Sequence, residues 1–65
     1  MNDVLAKTQA SLSNHGALRN LELTVSVKDN KLVLTGQAPT YYQKQVAGHV
    51  AMQSGVAIEN EIKVS

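Results

Sequence analysis

The sequence predicts an α+β fold: a two-layer sandwich of order α-β-β-α-β, with two helices on one face of a three-stranded mixed sheet. Segments with apolar residues at helical spacing are interspersed with segments in which every second residue is apolar. A sheet with one apolar face needs a covering layer, and the two helical segments supply it. The 65 residues are expected to form a single domain, 1–65, whose core is aliphatic because the chain has no cysteine and little aromatic content.

The first helix is predicted over residues 3–15. The residues at helical spacing are Leu5, Thr8, Leu12 and His15. Asp3 is suited to cap the start of this helix, and Gly16 is suited to the left-handed conformation that follows a helix end. The apolar stripe is thin, so this helix must depend on packing against the rest of the domain.

A β-hairpin is predicted next. Residues 21–27 alternate strictly, which is typical of a strand with one wet face. The inward residues are Leu21, Leu23, Val25 and Val27, followed in the second strand by Leu32 and Leu34. Asp29 and Asn30 tolerate the positive φ of a tight turn. Val33 is expected to be a single exposed apolar residue on the polar face.

The second helix is predicted from Tyr41 to Ser54. Gly36 and Pro39 are expected to turn the chain before it, since proline cannot continue a strand ladder. Thr40 and Gln43 have the spacing of a capping box. The residues expected to face inward are Tyr42, Val46 and Val50, with Ala47 and Ala51 as further candidates.

The third strand is predicted after Gly55, which suits the end of a helix. Its inward apolar residues are Val56, Ile58, Ile62 and Val64. Asn60 also faces inward, and we expect its side chain to bond to the backbone of a neighbouring loop rather than to a ligand. The helix between the second and third strands allows them to run parallel, and the apolar first strand is expected at the centre of the sheet.

Two motifs lie in the predicted strands. The hairpin carries Val25-Ser26-Val27, Asp29 and Leu32-Val33-Leu34-Thr35-Gly36, and the last strand carries Gly55-Val56 and Asn60-Glu61-Ile62-Lys63-Val64. With Leu12 and Leu18, these motifs resemble the BON domain, the bacterial osmotically inducible and nodulation domain. This module occurs in osmotically inducible periplasmic proteins, haemolysin-like lipoproteins, secretins and some channels. The likeness covers nearly the whole chain.

The resemblance implies a module that attaches to phospholipid membranes or other envelope components, with no catalytic activity and no cofactor. The chain departs from the family pattern at two places. Asn30 stands where the family usually has glycine, a mild change because asparagine also tolerates the left-handed region. The interval between Val56 and Asn60 is shorter than the pattern leads us to expect, which affects the register of the third strand.

Charge and hydropathy limit the classes of partner. Six lysines and arginines against five acidic residues give a formal net charge of +1. These charges are interspersed, so no nucleic acid partner is predicted. The longest near-continuous apolar run, 46–52, is far shorter than the roughly 20 residues of a transmembrane helix. The first residues do not read as a signal peptide, so we expect a cytoplasmic location for a full-length chain and an envelope location for an excised domain.

The stretch GQAPTYYQK leads into the second helix and is the one place where the sequence suggests a small-ligand site. Its single glycine and its proline do not make a phosphate-binding P-loop, and a simple turn and helix cap is one interpretation. The other is that a lipid phosphate or a partner binds at the helix start, near Thr40, Tyr41 and Lys44. Tyr41 is expected to point outward and Lys44 to be exposed.

Other chemistry is disfavoured. His15 and His49 lack the spacing of a zinc site, so no metal is predicted. Glu59 and Glu61 are expected on a solvated, charge-balanced strand face rather than in a pocket that shifts a pKa. No enzymatic activity is therefore predicted. The alternative to lipid binding is a structural module that self-associates, or pairs with another chain, through an exposed strand edge.

Overall fold

The computed structural model describes residues 2–65. Its elements in chain order are helix α1 (Asn2–Asn14), strands β1 (Leu23–Lys28) and β2 (Lys31–Ala38), helix α2 (Tyr41–Met52) and strands β3 (Ile58–Asn60) and β4 (Lys63–Val64). The helices pack against each other and against one mixed sheet. The α+β class and the order of elements are confirmed, with the predicted third strand divided into β3 and β4.

The hairpin is regular over its whole length. β1 and β2 pair in antiparallel fashion from Leu23 opposite Gly36 to Lys28 opposite Lys31. Asp29 and Asn30 form the turn with φ angles of 53° and 62°. Two consecutive positive φ values in a two-residue loop are typical of a type I′ turn, whose twist matches that of the strands. The hairpin prediction is therefore confirmed.

The centre of the sheet is β2, so the prediction that the first strand lies there is wrong. β2 pairs with β1 on one side and runs parallel to β3 and β4 on the other. This position also explains Val33, which is only 6% exposed although it was predicted to be exposed. Val33 lies between Ser26 of β1 and Glu59 of β3. A central strand is shielded from both sides, so it can read as a continuous apolar run.

Helix α1 differs from its predicted boundaries. Because α1 begins at Asn2, Asp3 lies within the first turn rather than at the cap. The glycines with positive φ are Gly36 and Gly55, so Gly16 does not end the helix in the predicted conformation. Instead the ring Nδ1 of His15 accepts a hydrogen bond from the Ala17 N–H at 3.2 Å. The chain therefore leaves α1 through a turn organised by a side chain.

Helix α2 packs through small residues. Ala47 and Ala51 are fully buried, as expected, and Val46 and Val50 are partly buried against the core. Tyr42 is 67% exposed, so its predicted inward position is wrong. At 100° per residue it points about 140° around the helix from Ala47. The helix ends at Met52 rather than at Ser54.

The prediction that Gly36 turns the chain is wrong. Gly36 lies within β2, opposite Leu23. Its φ is 131°. A Cβ atom there would lie 2.5 Å from the carbonyl oxygen of Glu22. Glycine is therefore required at this position both by conformation and by close backbone approach. Pro39 lies beyond the strand, directly before the cap of α2.

The third strand is interrupted without losing its register. Ile58 lies opposite Leu32 and Val64 lies opposite Ala38, a constant offset on both sides of the break. At the break, Asn60 Oδ1 accepts a hydrogen bond from the Ile62 N–H at 3.2 Å. Its Nδ2 donates to the Lys44 carbonyl oxygen at 3.0 Å. The predicted backbone partner is thus found, although it belongs to a helix rather than to a loop.

Two predicted inward residues lie at strand ends and are exposed. They are Val27, beside the hairpin turn, and Val64, in the last strand. Within residues 2–65, the buried core cluster contains ten residues: Leu12, Leu18, Leu23, Val25, Leu32, Leu34, Ala38, Ala47, Ala51 and Ile62. The inward assignments of Leu23, Val25, Leu32, Leu34 and Ile62 are therefore confirmed.

Candidate functional site

The start of α2 brings together the residues predicted to contact a ligand. Thr40 is the N-cap, with the extended backbone angles φ −135° and ψ 155° that caps adopt. Tyr41 follows it and is 62% exposed, as expected. Lys44 lies in the next turn but is half-buried, so the prediction that it is exposed is wrong. At 100° per residue, Lys44 lies only about 20° around the helix from the fully buried Ala51, which accounts for this burial.

The hydroxyl of Thr40 is occupied by the helix itself. Its Oγ1 accepts a hydrogen bond from the Gln43 N–H at 3.2 Å and donates one to Gln43 Oε1 at 2.9 Å. Gln43 Nε2 in turn donates to the Ala17 carbonyl oxygen at 3.1 Å, which ties the start of α2 to the loop after α1. Thr40 thus positions the helix start, and an anion would meet the leading backbone N–H groups rather than this hydroxyl.

Tyr42 adds a second exposed aromatic group, although the sequence predicts that it faces the core. Tyr41 and Tyr42 are the only aromatic residues of the chain, and both are more than 60% exposed. A phenol ring suits a boundary between water and an apolar phase because one end is apolar and the other forms hydrogen bonds. The helix start therefore presents two such rings beside its leading backbone N–H groups. At 100° per residue, Lys44 lies about 60° around the helix from Tyr41 and about 160° from Tyr42.

The cavities of the described residues are shallow grooves. The one that holds His49 lies between α2 and β3 and measures about 520 Å³. Its lining residues are Gln45, Gly48, His49, Met52, Ile58 and Asn60, with no carboxylate among them. Residues 2–65 contain no group of three or more histidine and acidic side chains placed to hold a metal ion. No helix in that range is long and apolar enough to cross a bilayer.

A family model described as the BON domain matches residues 2–65. The chain belongs to the BON domain family. The match covers essentially the whole chain, so the resemblance carried by the hairpin and closing-strand motifs is confirmed. In general terms, this membership makes the chain a membrane- or envelope-related binding module. No curated protein matches it.

The BON motifs have structural explanations in this chain. Asp29 and Asn30 supply the turn, Gly36 allows the approach of Glu22, and Asn60 joins the third strand to α2. Gly55 has a φ of 79° and directs the chain away from α2. Each of these residues therefore has a structural role.

Gln9 is a structural contact that the sequence did not indicate. Its side chain reaches from α1 to the edge of β1, where Nε2 donates to the Leu23 carbonyl oxygen and Oε1 accepts from the Val25 N–H, each at 3.0 Å. A glutamine on a helix has no sequence signal for such a contact, because it depends on how the helix is placed over the sheet.

Proposed function

We propose that this BON domain is a non-enzymatic binding module that attaches to anionic phospholipid through the start of α2. The observation that carries the proposal is the adjacent pair of exposed tyrosines, 62% and 67% accessible, at a helix start that points its backbone donors outward. In a domain of this size, large apolar groups that could be buried in the core are instead held at the surface, which is typical of interaction sites.

Two physical contributions favour a phosphate group at this position. Helix N-termini attract anions through their open N–H groups and the helix dipole, a contribution of about 0.3–1 kcal/mol at an exposed site. A lysine close to an anionic membrane adds about 1 kcal/mol. Lys44 is half-buried, and a lysine can cover apolar surface with its stem while its ammonium group stays in water, where it meets a headgroup. Tyr41 and Tyr42 would then lie at the level of the headgroups.

The absence of catalysis is part of the proposal. General acid–base work needs a titratable group held within hydrogen-bond reach of its substrate. In the described residues, the groove beside His49 supplies no acidic partner. A hydrolytic or transfer activity that requires His49 would contradict this part of the proposal.

The test is co-sedimentation with vesicles of phosphatidylcholine alone and of phosphatidylcholine mixed with phosphatidylglycerol, at low and high salt. We expect binding to the anionic vesicles only, weakened by salt. Lys44→Glu should weaken that binding about tenfold or more, because it replaces an attraction of about 1 kcal/mol by a repulsion. The double variant Tyr41→Ser/Tyr42→Ser should weaken binding to the anionic vesicles more than Lys44→Glu does.

Lys31→Glu is the matched control. It makes the same change in net charge but lies at the hairpin end of β2, seven residues before Ala38, or roughly 23 Å at 3.3 Å per residue. Equal loss of binding in Lys31→Glu and Lys44→Glu would mean that only net charge matters, and the α2 site would be wrong. Unchanged affinity in Lys44→Glu would have the same consequence.

Binding of an envelope protein at the same helix start, or self-association through a strand edge, is the second candidate. The observation in its favour is that β1 forms one edge of the sheet and β3 and β4 form the other, and that Gln9 covers the β1 edge only at Leu23 and Val25. Concentration-dependent mass with no effect of vesicles would favour it over lipid binding.

A further inference from the structure

The free edge of β1 carries backbone groups that a further strand could pair with. The pair Lys28 and Lys31 flanks the two-residue turn, and the residues closing such a turn bond to each other. Ser26 and Thr24 therefore also point their backbone groups toward β2. Leu23, Val25 and Val27 point theirs to the free edge.

Gln9 occupies part of this edge. Its carboxamide donates to the Leu23 carbonyl oxygen and accepts from the Val25 N–H, each at 3.0 Å. A carboxamide offers the same donor and acceptor as a peptide group, so Gln9 stands where the backbone of a neighbouring strand would be. The edge beyond it, at Val27, is exposed.

The side chains of β1 favour pairing with a second copy of the same strand. In an antiparallel arrangement centred on Val25, each Val25 pairs with its counterpart and Leu23 pairs with Val27. These are the residues whose backbone groups point to the edge. The same register places Glu22 of each copy opposite Lys28 of the other, which gives two pairs of opposite charge.

The opposite edge of the sheet is unsuited to self-pairing. There β3 and β4 are only three and two residues long. The Ile62 N–H, which points away from β2, already donates to Asn60 Oδ1. An antiparallel pair of copies centred on Asn60 would place Glu59 against Glu61. Short, interrupted and like-charged edges resist association.

We propose that the free edge of β1 is a dimerisation surface for a second copy of this chain, held closed by Gln9. Release of Gln9 exposes the Leu23 and Val25 groups, and a two-fold antiparallel β1 pair then forms a continuous sheet across both copies. This surface lies apart from the start of α2, so it does not rest on lipid binding and can be tested without vesicles.

The experiment measures mass by analytical ultracentrifugation from micromolar to millimolar concentration. Gln9→Met keeps the length and helix propensity of the side chain but removes both hydrogen bonds. We expect the variant to dimerise at least tenfold more tightly than the unmodified chain. A folded Gln9→Met variant that associates no more tightly would overturn the proposal. Gln45→Met makes the same chemical change on the exposed face of α2 and is expected to leave the mass unchanged.

A charge swap tests the register. In the Gln9→Met background, Lys28→Glu places a carboxylate opposite Glu22 of the other copy and should return the chain to a monomer. Adding Glu22→Lys should restore the dimer by exchanging the two charges. Failure of the swap to restore association would overturn the β1 pairing.

If Gln9→Met does not fold, Gln9→Glu replaces it. A glutamate at this position still accepts from the Val25 N–H but cannot donate to the Leu23 carbonyl oxygen. Association above that of the unmodified chain supports the proposal, and equal association contradicts it.

Discussion

The hairpin and the third strand flank the same central strand but are held to it in different ways. Along the hairpin, every residue of β1 has a partner in β2, from the turn to Leu23. On the other side, pairing stops after Asn60 and resumes at Lys63. Across that gap, the side chain of Asn60 bonds both to the strand and to α2.

Because of this difference, the fold depends on single residues in the third strand more than in the hairpin. A regular ladder distributes its stability over many equivalent backbone bonds, so one weakened pair is tolerated. In the third strand, the Glu61 N–H still donates to the Leu34 carbonyl oxygen at 2.8 Å across the gap. The hydrogen bond to α2, however, depends on one amide and on the glycine that allows this amide to approach. A Cβ atom on Gly48 would lie 2.9 Å from Asn60 Nδ2. Substitutions should therefore have graded effects according to which of these regions they touch.

The largest effect is expected where both regions meet, at Gly36. Gly36→Ala forces a Cβ atom to within 2.5 Å of the Glu22 carbonyl oxygen at a φ of 131°. Both the clash with backbone and the forbidden conformation act against folding, so we expect a loss of at least about 3 kcal/mol. Chemical denaturation followed by far-UV circular dichroism measures it.

Gly55→Ala separates the two causes. Gly55 also has a positive φ, 79°, but a Cβ atom there meets nothing within 4 Å. Strain alone should cost about 1–2 kcal/mol. Equal losses at Gly36 and Gly55 would contradict the assigned close approach.

An effect smaller than that of Gly36→Ala is expected for Asn60→Ala, which removes the bonds to Ile62 and to Lys44. Loss of these two bonds in a partly buried position should cost about 2 kcal/mol in the free energy of unfolding. Asn60→Asp keeps the acceptor for the Ile62 N–H but loses the donor to the Lys44 carbonyl oxygen. Its free energy of unfolding should therefore fall between those of the unmodified chain and Asn60→Ala.

Gly48→Ala completes a double-mutant cycle with Asn60→Ala. Alanine in a helix interior is favoured over glycine by about 1 kcal/mol. That gain should appear only when Asn60 is absent, because the methyl group displaces its amide. Additive effects of the two substitutions would show that they do not interact.

The smallest effect is expected in the hairpin, and with the opposite sign. Asn30→Gly places glycine at a φ of 62°, where asparagine is tolerated but glycine fits without strain. We expect a gain of about 0.5 kcal/mol, within the range of glycine effects at such positions. Urea denaturation checks it, and a loss of stability would contradict the type I′ assignment.

The sequence predicts best the elements whose structure depends only on residues close together in the chain. The alternation of residues 21–27, the Asp29-Asn30 turn and the Thr40 cap follow from period and turn chemistry, and the structure has all three. Val33 and the central position of β2 depend on which strand the crossover joins. The position of a strand in the sheet depends on tertiary packing. The burial of Val33 is therefore determined by the strands on both sides of β2 and not by the pattern of β2 itself.

The candidate site was predicted in part. The capping residues locate the helix start, but the sequence pattern places Tyr42 in the core because an aromatic residue near the apolar stripe normally lies there. Here Ala47 and Ala51 form the buried face of α2, and Tyr42 points about 140° around the helix from Ala47. Sequence spacing does not indicate the contact of Gln9 with β1, because a single side chain of α1 makes it to another element.

The placement of both tyrosines at the start of α2 has a spectroscopic consequence. The chain has two tyrosines and no tryptophan or phenylalanine, and its core is aliphatic. Intrinsic fluorescence should therefore change little when the domain unfolds, since both rings already face water. The same emission should respond to any molecule that covers the helix start, so the native chain carries a built-in optical reporter for its own binding surface.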